Sequence, residues 1–282
     1  LGDVYKRQGY RSRTMESIEE EARGLVEHGA KELILIAQDT TRYGIDLYGE
    51  YSLAKLMRRL CKIDGLKWLR VLYCYPDALT DELLETMAEE EKIVKYIDLP
   101  LQHASARVLK RMNRTGDRES LTALMKKIRE KIPGVTLRTT LITGFPGETE
   151  EEFTELAEFV KDIEFERLGC FAYSQEEGSL AAKMEGQVDE EVKLERAQEA
   201  MDLAESLGFA ATAAHVGERA QVIVDGIEET EDGAELIGHA WFQAPDSDGA
   251  VHLDASEASV GDILTVEFTD SFCYELIGHV VE

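Results

Sequence analysis

LRTTLITGFPGETEEEF, residues 137–153, divides into three parts with separate physical duties. Residues 137–143 are apolar and β-branched enough for a buried strand. Gly144-Phe145-Pro146-Gly147 turns the chain sharply, the glycines supplying φ freedom and Pro146 fixing φ. Thr149 stands as an N-cap with Glu152 three residues on, a capping box ahead of Phe153, Leu156 and Val160. A strand, a Gly-rich turn and a capped helix bring backbone N–H groups to a strand's C-terminal end, where α/β proteins place ligands. A plain βα turn is spelled the same way, so the stretch speaks for the fold more strongly than for a ligand.

Outward from this unit the elements alternate. Thr14 caps a helix to about residue 28; residues 32–37 read as a strand, 52–61 as a helix, 68–73 as a strand and 80–89 as a helix. A strand at 94–99 is ended by Pro100, leaving Gln102 and His103 in a loop; helical segments follow at 104–112 and 118–132. After the helix at 149–162, a strand at 167–173 makes five strands alternating with helices, which predicts a parallel sheet with right-handed crossovers. A long helix over 190–207 leads to a change of composition near Gly208. Short apolar strands then follow at 220–224, 235–240, 249–253, 263–268 and 275–281, the pattern of a small antiparallel β-barrel.

Charge is divided unevenly along the 282 residues. Residues 1–150 carry 25 Lys+Arg against 24 Asp+Glu, and residues 151–282 carry 6 against 33. Residues 209–282 hold Arg219 against 16 acidic side chains, so this part repels phosphate backbones and suits a basic partner; plain solubility is the alternative reading. No apolar run reaches membrane-spanning length, and no partner membrane is expected. Four cysteines without a secretory segment point to a reducing, cytoplasmic setting.

Residues 98–114, DLPLQHASARVLKRMNR, together with GFPGETEEEF resemble the radical S-adenosylmethionine (SAM) methylthiotransferases. ELILIAQDTTRYG at 32–44, RVLYCYPD at 70–77 and FAYSQEEGSLAAKM at 171–184 add to the likeness, which runs in order from residue 10 to 282. The YPD and PLQH spellings look like the ribosomal-protein (RimO-type) branch. The tRNA-modifying (MiaB-type) branch is the alternative. The resemblance implies an α/β fold: a partial (β/α) radical SAM barrel lacking its first strand, followed by an OB-like TRAM barrel. It divides the chain into a leader at 1–8, a core at 9–208 and a TRAM domain at 209–282.

The implied reaction of the full-length family member is methylthiolation of the β-carbon of an aspartate on the twelfth small-subunit ribosomal protein, a basic partner. The implied cofactors are S-adenosylmethionine and two 4Fe-4S clusters. Such clusters are held by closely spaced cysteines, CxxxCxxC for one of them. Here Cys61, Cys74, Cys170 and Cys273 are 13, 96 and 103 positions apart, so no metal ligand is assigned and the four are expected to be reduced, mostly buried residues. LGDVYKRQ, residues 1–8, stands where the family's cysteine loop would lie. The expectation is an incomplete gene product with an unrelated front, inactive alone and poorly soluble through an unpaired strand edge at 32–37. A natural start, and with it a clusterless acidic adaptor for a basic protein, is the alternative.

Site residues follow from the resemblance and from strand geometry. Gln38, Arg138, Thr140, Gly144 and Gly147 are expected at the cofactor, and Asp39, Tyr43, Gln102, His103, Tyr173 and Ser174 at the substrate pocket; no catalytic side chain is assigned. Arg138 and Thr140 share a strand face with Ile142. Toward the lumen Arg138 needs an anionic partner, and toward the helices it would pair with an acidic side chain. His103 equally suits a supporting hydrogen-bonding role. The acidity of the barrel argues against RNA binding there. Trp241 and Phe242 are read as barrel core or as exposed aromatic contacts.

Overall fold

The computed structural model describes residues 9–230, 233–254 and 258–281. The first unit is built from α1 (Met15–Glu27), β1 (Glu32–Leu35), α2 (Ile45–Tyr48), α3 (Leu53–Cys61), β2 (Trp68–Val71), α4 (Asp81–Glu89), β3 (Tyr96–Gln102), α5 (Ala106–Arg111), α6 (Arg118–Lys131), β4 (Thr136–Thr143), α7 (Glu150–Ile163) and β5 (Arg167–Ala172). After α8 (Glu190–Ala213) come β6 (Arg219–Thr230), β7 (Gly233–Ala240), β8 (Val251–Asp254), β9 (Ile263–Phe272) and β10 (Glu275–Val280).

All five strands of the first unit run parallel, as the alternation predicts. They form a pair, β1-β2, and a triple, β3-β4-β5, linked by an isolated bridge between Leu69 and Ile93. Above the bridge a side chain takes over the ladder: Tyr73 N donates to Asp98 Oδ2 at 2.9 Å, and Cys74 N to Asp98 O at 2.9 Å. Leu33 and Leu35, Leu69 and Val71, Ile97 and Leu99, Leu137 and Leu141, and Leu168 and Cys170 point toward the helices and form the main core. Thr149 and Glu152 close their capping box, and Phe153, Leu156 and Val160 are buried. Among the described residues the other edge of β1 has no strand partner, and Ile36 beside it is 68% exposed.

Three expectations change. Pro100 does not end its strand: β3 continues to Gln102, with a register shift between Leu99 and Gln102. The Thr139 hydroxyl makes this possible, donating to Leu99 O at 2.7 Å and accepting from Leu101 N at 3.3 Å. The residue without an N–H thus sits in a bulge. Gln102 is therefore the last strand residue, with φ of 72°. Helix α8 also runs on to Ala213; Gly208 is an interior contact, where an added Cβ would meet Tyr274 Cε1 at 2.4 Å. Finally, the C-terminal barrel closes in the order β10-β8-β7-β6-β9, and its β8–β10 pair is parallel rather than antiparallel.

The barrel seats against the first unit. Ile223 and Ala244 pack with Trp68, Val94 and Tyr96, and Trp241 joins them half-buried. Phe242 is in the barrel core, so neither aromatic is an exposed contact. Among the described residues no helix is long and apolar enough to cross a membrane.

Candidate functional site

The helix-free face of the sheet carries the alternate set of side chains: Ile34 on β1, Arg70 on β2, Tyr96 and Asp98 on β3, Arg138, Thr140 and Ile142 on β4, and Phe171 on β5. Toward the strand C-terminal ends this face is open and largely apolar, with Phe171 63% and Tyr73 45% exposed. At its other end it is polar and covered by the barrel.

The expected site residues fall into three groups. Gln38, Asp39 and Tyr43 line one cleft of about 450 Å³ beside the C-terminal end of β1, walled by residues 9–13. Gln38 is exposed there. Asp39 is committed: its Oδ1 accepts from Thr41 Oγ1 at 2.5 Å and its Oδ2 from Arg42 Nε at 2.8 Å. Tyr43 Oη donates to Arg13 O at 2.8 Å, tying down the cleft wall, and burial pushes its pKa up.

Arg138 and Thr140 form the second group, on the open face, while Gln102 is half-buried at the end of β3, level with Leu141 of β4. Arg138 faces inward, yet its anionic partners come from the chain itself: Nη1 is 3.4 Å from Asp98 Oδ1 and Nε 3.4 Å from Asp248 Oδ1. Burial opposes its charge, but Tyr96, Asp248 and Asp98 outweigh that and raise its pKa. Asp98 is raised, burial outweighing the help of the Tyr73 amide and Arg138.

The third group surrounds Glu148, a fully buried carboxylate that accepts from Gly144 N at 3.0 Å and from Arg196 Nη1 at 2.8 Å. His103 is equally buried, its Nδ1 accepting from Ser105 N at 2.9 Å and its Nε2 3.3 Å from Glu148 Oε2 without good alignment. This geometry sets His103, fully buried, against the turn. Gly147 N donates to Gly186 O at 2.6 Å, Pro146 O accepts from Arg111 Nε, and Gly147 O from Arg107 Nη2. The N–H groups of Gly144 and Gly147, expected to face a ligand, are therefore taken by the chain's own acceptors. Tyr173 is buried against Phe145 with its hydroxyl unpartnered among the described residues, while Ser174 is exposed and bonds Glu176.

A model of the Radical SAM superfamily matches residues 3–160, more than half of the chain. The chain belongs to the radical SAM superfamily. A TRAM domain model matches residues 216–281, the region of the closed barrel. Behind the radical SAM domain and its TRAM barrel stand curated relatives named ribosomal protein uS12 methylthiotransferase RimO. That of Clostridium botulinum (strain Okra / Type B1) is 47% identical over 272 residues, 96% of this chain and 60% of the relative. Those of Desulfitobacterium hafniense (strain Y51) and Geobacter sulfurreducens are 46% and 49% identical, over 97% and 98% of this chain and 61% of each relative. The chain thus spans about three-fifths of the length of these relatives. Their names agree with the ribosomal-protein branch that the YPD and PLQH spellings resemble, not the tRNA branch. Coproporphyrinogen III oxidase (HemN) from Escherichia coli superimposes with a TM-score of 0.49 at 15% identity, covering 80% of this chain and 58% of that one.

The superfamily implies an iron–sulfur cluster, and the four cysteines do not fit one. Cys61 on α3, Cys74 in the loop after β2 and Cys170 on β5 are all buried, and burial pushes their thiols up to about 11, 12 and 11, against the thiolate a metal needs. Cys273 is exposed on the TRAM barrel. Among the described residues no group of three His, Cys, Asp or Glu side chains could hold a metal ion.

Sequence reasoning missed Glu148, Arg196, Asp98, Asp248 and the interdomain residues Glu32, Arg70 and His239. Glu148 follows the quoted turn directly and carried a local signal. The others are brought together only by the fold.

Proposed function

We propose that this chain is the SAM-binding sheet and TRAM barrel of a uS12 methylthiotransferase, acting on an aspartate of that basic ribosomal protein. The single observation that carries the reading is identity of 46–49% with RimO proteins across nearly the whole chain, sheet and barrel together. The geometry agrees with it. An open apolar face beside a cleft of about 450 Å³ suits an adenosyl group, with Gln38 exposed at the cleft and Thr140 and Arg138 on the face. Bound there, S-adenosylmethionine would supply the methyl group. The chain's own residues orient and exclude water: Phe171 and Ile142 offer apolar walls, Thr140 a polar edge, and Glu148 holds the GFPG turn. Gly144 and Gly147 serve by allowing that turn, with φ of 68° and 84°.

The acidic barrel supports a protein substrate over an RNA one. The test is binding of purified uS12 and of a tRNA anticodon stem-loop to the full chain across a salt series. Tighter, salt-sensitive binding of uS12 supports the proposal, and preferential binding of the stem-loop overturns it in favour of a tRNA enzyme.

A further inference from the structure

The floor of the open face is completed by a residue of the other domain. Asp248, in the loop between β7 and β8, is 4% exposed and reaches the sheet. Its Oδ2 accepts from Tyr96 Oη at 2.5 Å and from Ala244 N at 2.9 Å, while Oδ1 faces Arg138 Nε at 3.4 Å. Asp98, held by Tyr73 N, faces Arg138 Nη1. The guanidinium is thus held by two carboxylates, hydrogen-bonded through Nη1 to Asp98 of β3 and ion-paired at Nε with Asp248 of the barrel, and its side chain keeps 25% exposure.

We infer that Asp248 is a positioning residue for the open face: it sets Arg138, and so couples the seating of the barrel to the binding of an S-adenosyl ligand by the sheet. The inference rests on the reading of that face as the SAM site. A planar guanidinium held between two carboxylates presents its remaining N–H groups in a restricted direction, and such N–H groups are how arginine recognises a carboxylate such as that of the methionyl moiety. Released from Asp248, the same side chain swings about Asp98 and loses that preorganisation.

Asp248→Asn separates the roles. The asparagine oxygen still accepts from Tyr96 and Ala244, but its NH₂ turns toward Arg138 Nε, donor against donor. Titration of the full chain with S-adenosylmethionine should show D248N weakened about tenfold, with D248N/R138A no weaker than R138A alone. A D248N protein that melts lower yet binds as wild type, or two losses that multiply, overturns the inference. Exchange of the Arg138 Nε proton, followed by ¹⁵N NMR, reads the contact in the wild type: protection supports the hold of Asp248, and fast exchange overturns it whether or not D248N folds. Failure of wild type to bind S-adenosylmethionine sinks the SAM-site reading and the coupling with it, and the proton exchange still decides whether Asp248 holds Arg138.

Discussion

His239 Nε2 on the barrel lies 2.5 Å from Glu32 Oε2 on β1, and the other ring nitrogen lies 2.6 Å from Asp225 Oδ2. An imidazole between two carboxylates is satisfied at both nitrogens only as the imidazolium. Burial works against that charge, but Asp225 and Glu32 outweigh it and raise the pKa of His239 above 6.5. Glu32 is lowered below 4.5, burial being outweighed by His239 and Arg70.

The sign of the pH dependence follows from linkage. A raised histidine stabilises fully below its unfolded value of 6.5 and loses that contribution as pH rises through its folded value. A lowered glutamate stabilises fully above 4.5 and loses its contribution as pH falls. Thermal unfolding of the full chain is expected to peak between these limits and to decline on the alkaline side. His239→Gln should remove about 2 kcal/mol at pH 6 and flatten the alkaline decline. An unchanged decline in H239Q would assign it to another group.

Glu148→Ala leaves Arg196 without its buried counterion and Gly144 N without an acceptor. Arg196 keeps Glu150 at 2.8 Å, so a loss of about 3 kcal/mol, the low end for breaking a buried pair, is expected in urea denaturation.

Two glycines separate strain from crowding. Gly144 and Gly134 both have positive φ, 68° and 76°, but an added Cβ meets Lys193 Cγ at 2.1 Å at Gly144 and nothing within 4 Å at Gly134. Gly134→Ala should cost about 1 kcal/mol from backbone strain alone, and Gly144→Ala clearly more. Equal midpoints for the two variants would contradict the packing of Lys193 over the turn.

Beside the edge of β1 that has no strand partner among the described residues, Ile36 is exposed. Ile36→Lys should reduce self-association measured by light scattering, because a charge on an edge resists strand addition. No change would place the sticky surface elsewhere, Phe171 on the open face being the next candidate.

Much of the fold was legible because its signals are local. The capping box of α7, the Thr14 cap of α1, the alternation of strands and helices and the five short strands of the barrel were all readable within windows of a few residues. The end of β3 was not, because the donor missing at Pro100 is compensated by Thr139 on a neighbouring strand. The end of α8 misled for a similar reason: Gly208 breaks helices by propensity, but here it makes room for Tyr274.

The site divides along the same line. Sequence by itself determined which residues reach the strand ends and the turn, since side-chain direction in a strand follows from a two-residue period and the turn from its glycines. Only the tertiary structure decided what those residues meet. Arg196 finds Glu148 across 48 positions, Tyr96 finds Asp248 across 152, and Glu32 finds His239 across 207. A buried charge must be paired, but no local rule names its partner, and at such separations the choice is made by how the sheet, α8 and the barrel pack together.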